Sequence, residues 1–328
     1  MCMKKATIIV FQEDIYNSLF ETLYEEVLSD PDVFLVVDKP FPESGFYRYL
    51  ASRKLKKITF GLSNNLYCNY YNLPAVVNNL KKEYDHISIL MHNASLIKTK
   101  YPIELINILK KEASLNILYI DVHDHDWTCS YANYLVKEGA FDKVFTIDPA
   151  DAEKHHMALI NTPYSLKKNI KMPNVRNQIY YCGSDAGRMF LLHQIWQEAK
   201  KRGVALKYDL SFAENYKDFF DGDPNVRFNK FVAYEKVLDN VLESSCVLDI
   251  TQKDQSALTV RPYEAVAYNK KLLTNNKNIF DFKYYDSRYI QYFEKVEDIN
   301  WDWLTENVDV NYHYQGDFSP RNLLDQLA

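Results

Sequence analysis

Three short stretches hold residues whose types and spacing suit chemistry. The first is Cys182-Gly183-Ser184-Asp185-Ala186-Gly187-Arg188. The whole chain has only 8 glycines, so a pair four residues apart stands out. Glycine lets main-chain N–H groups come close to an anion, the N-terminus of a following helix adds partial positive charge, and Arg188 offers a two-pronged donor. With Ser184 and Asp185 between the glycines, the segment suits a diphosphate. It is not G-x-G-x-x-G and carries no Walker lysine, so it supports neither a dinucleotide dehydrogenase nor a P-loop NTPase. The plain structural alternative is a tight strand-to-helix turn with a solvated arginine.

The second stretch, Asp249–Asn276, runs from a strand into a polar loop with Gln252, Gln255, Ser256 and Thr259, and then into a helix opened by Arg261-Pro262 and bearing Glu264. Proline fits a first helical turn, and a glutamate near it is favoured by the helix dipole. An arginine beside a carboxylate suits a sugar nucleotide, the carboxylate accepting from ribose hydroxyls. The same two residues also suit a simple internal ion pair.

The third stretch is Asp121-Val122-His123-Asp124-His125-Asp126, directly after the apolar run ILYI. A neutral imidazole or a carboxylate there suits a general base that deprotonates an acceptor hydroxyl. In an extended chain, period-two alternation puts His123 and His125 on one side and Asp124 and Asp126 on the other. Histidine and aspartate also ligate metals, and an aspartate here also suits the cap of the next helix.

The elements that must position these residues follow from the apolar pattern. With 328 residues the chain exceeds one comfortable core, and two domains of roughly 150 residues are expected. Short β-branched runs alternate with helical spacing, the signature of parallel sheets with crossover helices. Strands are predicted at Ala6–Phe11, Val33–Val37, His86–Met91, Asn116–Val122 and Lys143–Ile147, then at Gln178–Cys182, Ala205–Leu210, Cys246–Ile250 and Lys271–Thr274. Helices are predicted at Ile15–Leu28, Pro102–Lys111, Ser130–Glu138, Met189–Arg202, Tyr234–Glu243 and Pro262–Tyr268. The lysine-rich Ser165–Asn177 has neither period. The expected organisation is an N-terminal Rossmann-like domain over 1–168, a linker over 169–177, a second Rossmann-like domain over 178–300 and a tail helix within 301–328 packing back on the domains. Ligands in such doubly wound sheets sit at the carboxyl ends of the strands, where all three stretches fall.

Composition narrows the partners. A net charge of −5, from 39 basic and 44 acidic residues, argues against a nucleic-acid surface. The 5 cysteines are scattered, with no C-x-x-C pair, which fits a reducing cytoplasm, and no run approaches the ~20 apolar residues of a membrane span. The basic segment Arg48–Lys57 suits either a solvated helix face or peripheral contact with anionic lipid. The aromatic residues of Trp301–Ala328 suit packing, or stacking on sugars.

The runs LTVRPYEAVAYNKKLLTNN, YYCGSDAGRMFLLHQI and FDKVFTIDPADAEKH (Phe141–His155) together resemble the bacterial capsule and lipopolysaccharide glycosyltransferases of GT-B fold. The resemblance implies an α/β protein of two Rossmann-like doubly wound domains facing across a cleft. It matches Glu264 to the second glutamate of the E-x7-E motif, which contacts donor ribose, and puts Ser256 where the first glutamate stands, with Gln255 or Asp254 as substitutes. It further implies that Gly183, Ser184, Asp185, Gly187 and Arg188 form the diphosphate-proximal loop, with Thr259 and Arg261 beside the donor. Catalysis then needs no metal and no cofactor beyond the nucleotide-sugar co-substrate. The expected function is transfer of a sugar onto a glycan or lipid-linked glycan precursor of a bacterial surface polysaccharide, at the cytoplasmic side of the inner membrane. Alternatives are a non-catalytic glycan-assembly subunit of the same fold and a sugar-nucleotide-modifying enzyme such as an epimerase. A metal-dependent hydrolase using His123 and His125 is a further one.

Overall fold

A computed structural model describes residues 3–12, 17–40, 68–124, 126–167, 170, 173–229, 231–252 and 255–327. The apolar runs of the first half form parallel strands β1 (Lys5–Gln12), β2 (Val33–Asp38), β3 (His86–His92), β4 (Ser114–Tyr119) and β5 (Lys143–Thr146), with the short β6 (Ala158–Leu159) at the edge. Their order is β2-β1-β3-β4-β5-β6. Register places Ile8 between Phe34 on one side and Ile89 on the other. Strands covered on both faces read as continuous rather than alternating apolar runs. Accordingly Ile8, Ile9, Val10, Ile89, Leu90, Met91, Ile117 and Leu118 are all buried.

The second half repeats the plan with β7 (Arg176–Ser184), β8 (Ala205–Ser211), β9 (Val226–Asn229), β10 (Ser244–Asp249), β11 (Lys271–Thr274) and β12 (Ile290–Tyr292). Here the order is β12-β11-β10-β7-β8-β9, again parallel throughout. The chain starts in the middle at β7, runs outward through β8 and β9, and then crosses back to β10. That reversal is a topological switch point, the place at which doubly wound sheets bind their ligands, beside the loops that leave β7 and β10. The predicted helices Met189–Arg202 and Tyr234–Glu243 form over those residues, the first ending on Gly203 in the left-handed region at φ 70°.

The chain divides into two compact units, Met1–Pro163 with Ser319–Ala328, and Tyr164–Phe318. Strand β7 begins at Arg176, so the stretch read as linker ends inside a strand whose first two residues are exposed and carry no apolar signal. The tail holds two five-residue helices rather than one. Trp301–Thr305 belongs to the second unit, with Trp301 and Leu304 in its core. Pro320–Leu324 belongs to the first, where Ser319 Oγ donates to Glu26 and Arg321 pairs with Asp30. Strand β4 stops at Tyr119, three residues before its predicted end, because the chain turns at His123 and Asp124. The alternation expected for Asp121–Asp126 therefore does not apply. The basic segment 48–57 lies outside the described residues, and no helix among them is long and apolar enough to cross a membrane.

Candidate functional site

At the switch point of the second unit, β7 delivers the turn Gly183–Arg188 and β10 delivers the loop that leads into helix Val260–Ala267. A Cβ on Gly183 would stand 2.5 Å from the Tyr181 hydroxyl and 3.0 Å from Arg188 Nη1, so any side chain there forces the ends of Tyr181 and Arg188 to shift. Ala186 and Gly187 take positive φ, 39° and 78°, and the Arg188 N–H closes the turn on Asp185 O at 2.8 Å. Arg188 occupies the N-cap position of helix Met189–Arg202. Its Nη1 donates to the Tyr181 hydroxyl at 3.0 Å, while its Nε and Asp185 Oδ1 are buried without hydrogen-bond partners. Buried donors and acceptors of this kind carry a desolvation cost that a ligand can relieve.

The second stretch is knitted to the same end of the sheet. Asp249, the last residue of β10, accepts from the Thr259 hydroxyl at 2.8 Å and the Thr274 hydroxyl at 2.8 Å. Thr259 also caps the helix by accepting from the Arg261 N–H at 3.1 Å. The helix thus begins at Val260, two residues before Pro262. Glu264 is fully buried; one carboxylate oxygen accepts from Tyr234 and the other from Arg261 Nη1. Burial pushes the Glu264 carboxyl up, and the Arg261 guanidinium opposes that rise. Burial is the largest influence and works against the Arg261 charge, but Glu264, Cys182, Tyr234 and Tyr180 together outweigh it and strengthen the cation's hold on its proton. Arg261 Nη2 reaches back to Cys182 O at 3.5 Å, which joins the helix to the glycine turn. Both arginines lie close enough to Asp249 to counter the rise that burial gives its carboxyl.

The arrangement therefore sets two guanidinium groups and a helix N-terminus at the ends of β7 and β10. Glu264 is spent on Arg261 and Tyr234. Of the loop residues, the Gln255 side chain accepts from the Gln252 N–H at 3.4 Å. Asn278 donates to Ser256 O at 2.7 Å, and Asn276 to Ala257 O at 3.0 Å. Asp254 lies outside the described residues. Sequence reading missed Tyr181, Tyr234 and Asp249. The only cue was their place at a strand end or on the buried face of a helix.

The third stretch gathers residues from the first unit. The His123 N–H donates to Asp151 Oδ2 at 2.6 Å, and Asn133 donates to His123 O at 3.0 Å. His123 Nδ1 lies 3.2 Å from Asp124 Oδ1, and His155 Nε2 lies 3.5 Å from the same oxygen. Lys154 Nζ holds Asp124 Oδ2 at 2.5 Å. The Lys154 hydrogen bond, then that of His123, brings the Asp124 carboxyl down to about 2, whereas burial raises Asp151. His155, Lys154 and Asp151 come from the helix Pro149–His155 after β5, which was not read as a helix from sequence. Asp121 follows β4 and is half-buried, while His125 and the side chain of Asp126 lie outside the described residues.

Comparison with solved structures follows the fold rather than the sequence. Sucrose-phosphate synthase from Thermosynechococcus elongatus superposes with TM-score 0.55 at 10% identity, covering 98% of this chain and 97% of that one. The UDP co-structure of S. aureus MnaA gives 0.52 at 11%, covering 98% and 95%. A UDP-N-acetylglucosamine 2-epimerase gives 0.51 at 10%, covering 98% and 95%. The fold is GT-B. Comparison of the sequence with family models and with curated proteins gives no match. In the GT-B frame, the crevice at β7 and β10 is a carboxyl-end strand site in the second Rossmann-like unit, and the His123 cluster is one in the first.

Proposed function

We propose that the protein is a nucleotide-sugar-dependent glycosyltransferase whose donor diphosphate lies on the Gly183–Arg188 turn. The observation that carries this reading is the convergence of Arg188 and Arg261 on the switch point between β7 and β10, beside a turn where a side chain at Gly183 would displace Tyr181 and Arg188. Main-chain N–H groups and two guanidinium ions at one place stabilise the charge that grows on a departing nucleoside diphosphate. Arg261 acts as a fixed charge because Glu264, itself held by the Tyr234 hydroxyl, pairs with it, so it costs little reorganisation when the leaving group departs. In this reading Glu264 positions the arginine and the ribose is held by the loop that includes Gln255, Ser256 and Thr259. Ser184 and Asp185 line the diphosphate turn with Gly187.

On the acceptor side we assign the proton-accepting role to the Asp121–Asp126 stretch, with His123 as the leading group because Asp124 is placed to orient its ring. The acceptor is a glycan or lipid-linked glycan of a bacterial surface polysaccharide, modified at the cytoplasmic face of the membrane. The complex of S. aureus MnaA with UDP makes UDP-sugars the first donors to test.

The fold of that protein and of the 2-epimerase also supports a second reading, modification of the nucleotide sugar itself. Incubation with UDP-, GDP-, CMP- and dTDP-sugars separates the two. Nucleotide release that depends on an added glycan acceptor fits transfer. A changed sugar on an intact nucleotide, or release without any acceptor dependence, contradicts it.

A further inference from the structure

We infer that His123, Asp124 and His155 form a binding site for a first-row transition cation of the zinc class. Zinc bonds imidazole nitrogen and carboxylate oxygen at about 2.0–2.2 Å, so tetrahedral ligand atoms sit about 3.3 Å from one another. Asp124 Oδ1 stands 3.2 Å from His123 Nδ1 and 3.5 Å from His155 Nε2, within reach of one cation once the two rings, now 3.8 Å apart between centroids with 32° between planes, turn these nitrogens toward it. One ligand atom from each of the three residues lies within 4.8 Å of the others. His155 Nε2 is buried without a hydrogen-bond partner, so its lone pair or proton has nothing else to satisfy it.

Two imidazoles and one carboxylate are a donor set that favours zinc or copper over magnesium and calcium, which demand oxygen. The fourth position falls to water, since Asp124 is the exposed member of the cluster, with a side-chain exposure of 54%. Asp151, whose carboxylate fixes the His123 main chain, adds a second negative charge nearby. Lys154 is the opposing feature. It sits on Asp124 Oδ2, leaving Oδ1 for the cation, and its ammonium is mostly exposed on a flexible arm that can swing into solvent.

All of its residues belong to the first unit, whereas those of the donor site belong to the second. The cation site does bear on proton transfer: a cation on His123 Nδ1 replaces the contact by which Asp124 orients the ring for proton acceptance at Nε2.

The test is calorimetric titration of the full chain, stripped with a chelator, with zinc chloride alone and no nucleotide sugar. One zinc per chain is expected, with X-ray absorption at the zinc edge showing nitrogen and oxygen neighbours and no sulfur. His123→Ala and His155→Ala should each weaken binding by at least about tenfold, while Lys154→Ala should bind as tightly or more tightly. Magnesium at equal concentration should not compete. Absence of micromolar zinc binding in the wild type, wild-type affinity in either histidine variant, or a sulfur neighbour pointing to a cysteine overturns the assignment. Because donor binding is not read in this titration, its failure leaves the glycosyltransferase reading standing, and the reverse also holds.

Discussion

Arg261 and Glu264, three residues apart on one helix, form an ion pair in which the Glu264 carboxylate is wholly excluded from water. The partner that completes it, Tyr234, comes from the helix before β10 and also meets the Tyr164 hydroxyl at 3.2 Å. This pair ties the helix after β10 to the turn after β7, since Arg261 also reaches Cys182 O.

Breaking the pair strands a buried cation. Glu264→Ala is expected to destabilise the second unit by about 3–5 kcal/mol, the usual cost of leaving one buried charge without its partner. Glu264→Gln, which still accepts from Tyr234, should cost less. Urea unfolding of both variants measures this, and a loss of stability no larger than that of a surface substitution would show that Arg261 finds another partner.

Gly183 is where backbone meets guanidinium. Gly183→Ala should cost about 1–3 kcal/mol, as overpacking does in a dense interior, because the new methyl meets the buried Tyr181 ring and Arg188 Nη1. It should also weaken donor binding by displacing Arg188. A variant with wild-type stability and unchanged donor titration contradicts the close approach.

His92 gives the first unit a pH dependence. Its ring is buried against Phe11, Phe20 and Tyr24, with Nε2 hydrogen-bonded to the Tyr24 hydroxyl at 2.8 Å. Burial pushes the imidazole down to about 4 from an ordinary 6.5. Between those values the unfolded chain binds the proton more readily, so stability is full above about 6.5 and falls as pH drops towards 4. The full shift corresponds to about 3 kcal/mol at 1.36 kcal/mol per pH unit. His92→Gln keeps a partner for Tyr24 and should flatten the curve across this window. An equal slope in wild type and variant would assign the effect to other groups.

The fold was legible because strands buried on both faces write themselves as apolar runs. Lys271–Thr274, Met189–Arg202 and Tyr234–Glu243 have the bounds read from sequence. What escaped was short or polar. The helix Pro149–His155 has only Asp151 buried, and it announces itself chiefly through Asp148, whose side chain accepts from the Ala150 and Asp151 N–H groups. Missing that helix hid His155 and Lys154 from the His123 cluster. In the donor crevice the glycine turn and Arg188 were readable from residue type, and the alternative of an internal Arg261–Glu264 pair was visible as well. Which oxygen of Glu264 faced which donor depended on Tyr234, 30 residues upstream, and no local pattern encodes such a contact.

Arg188 and the turn before it are the proposed seat of a nucleoside diphosphate. The most direct test is calorimetric titration of wild type and Arg188→Ala with a panel of nucleotide sugars and the matching free nucleoside diphosphates. At least one nucleotide should bind the wild type, and the variant should lose about 1.5–3 kcal/mol of affinity, the worth of a hydrogen bond to a charged group. Equal affinity in the two proteins, or no nucleotide binding to the wild type, contradicts the site.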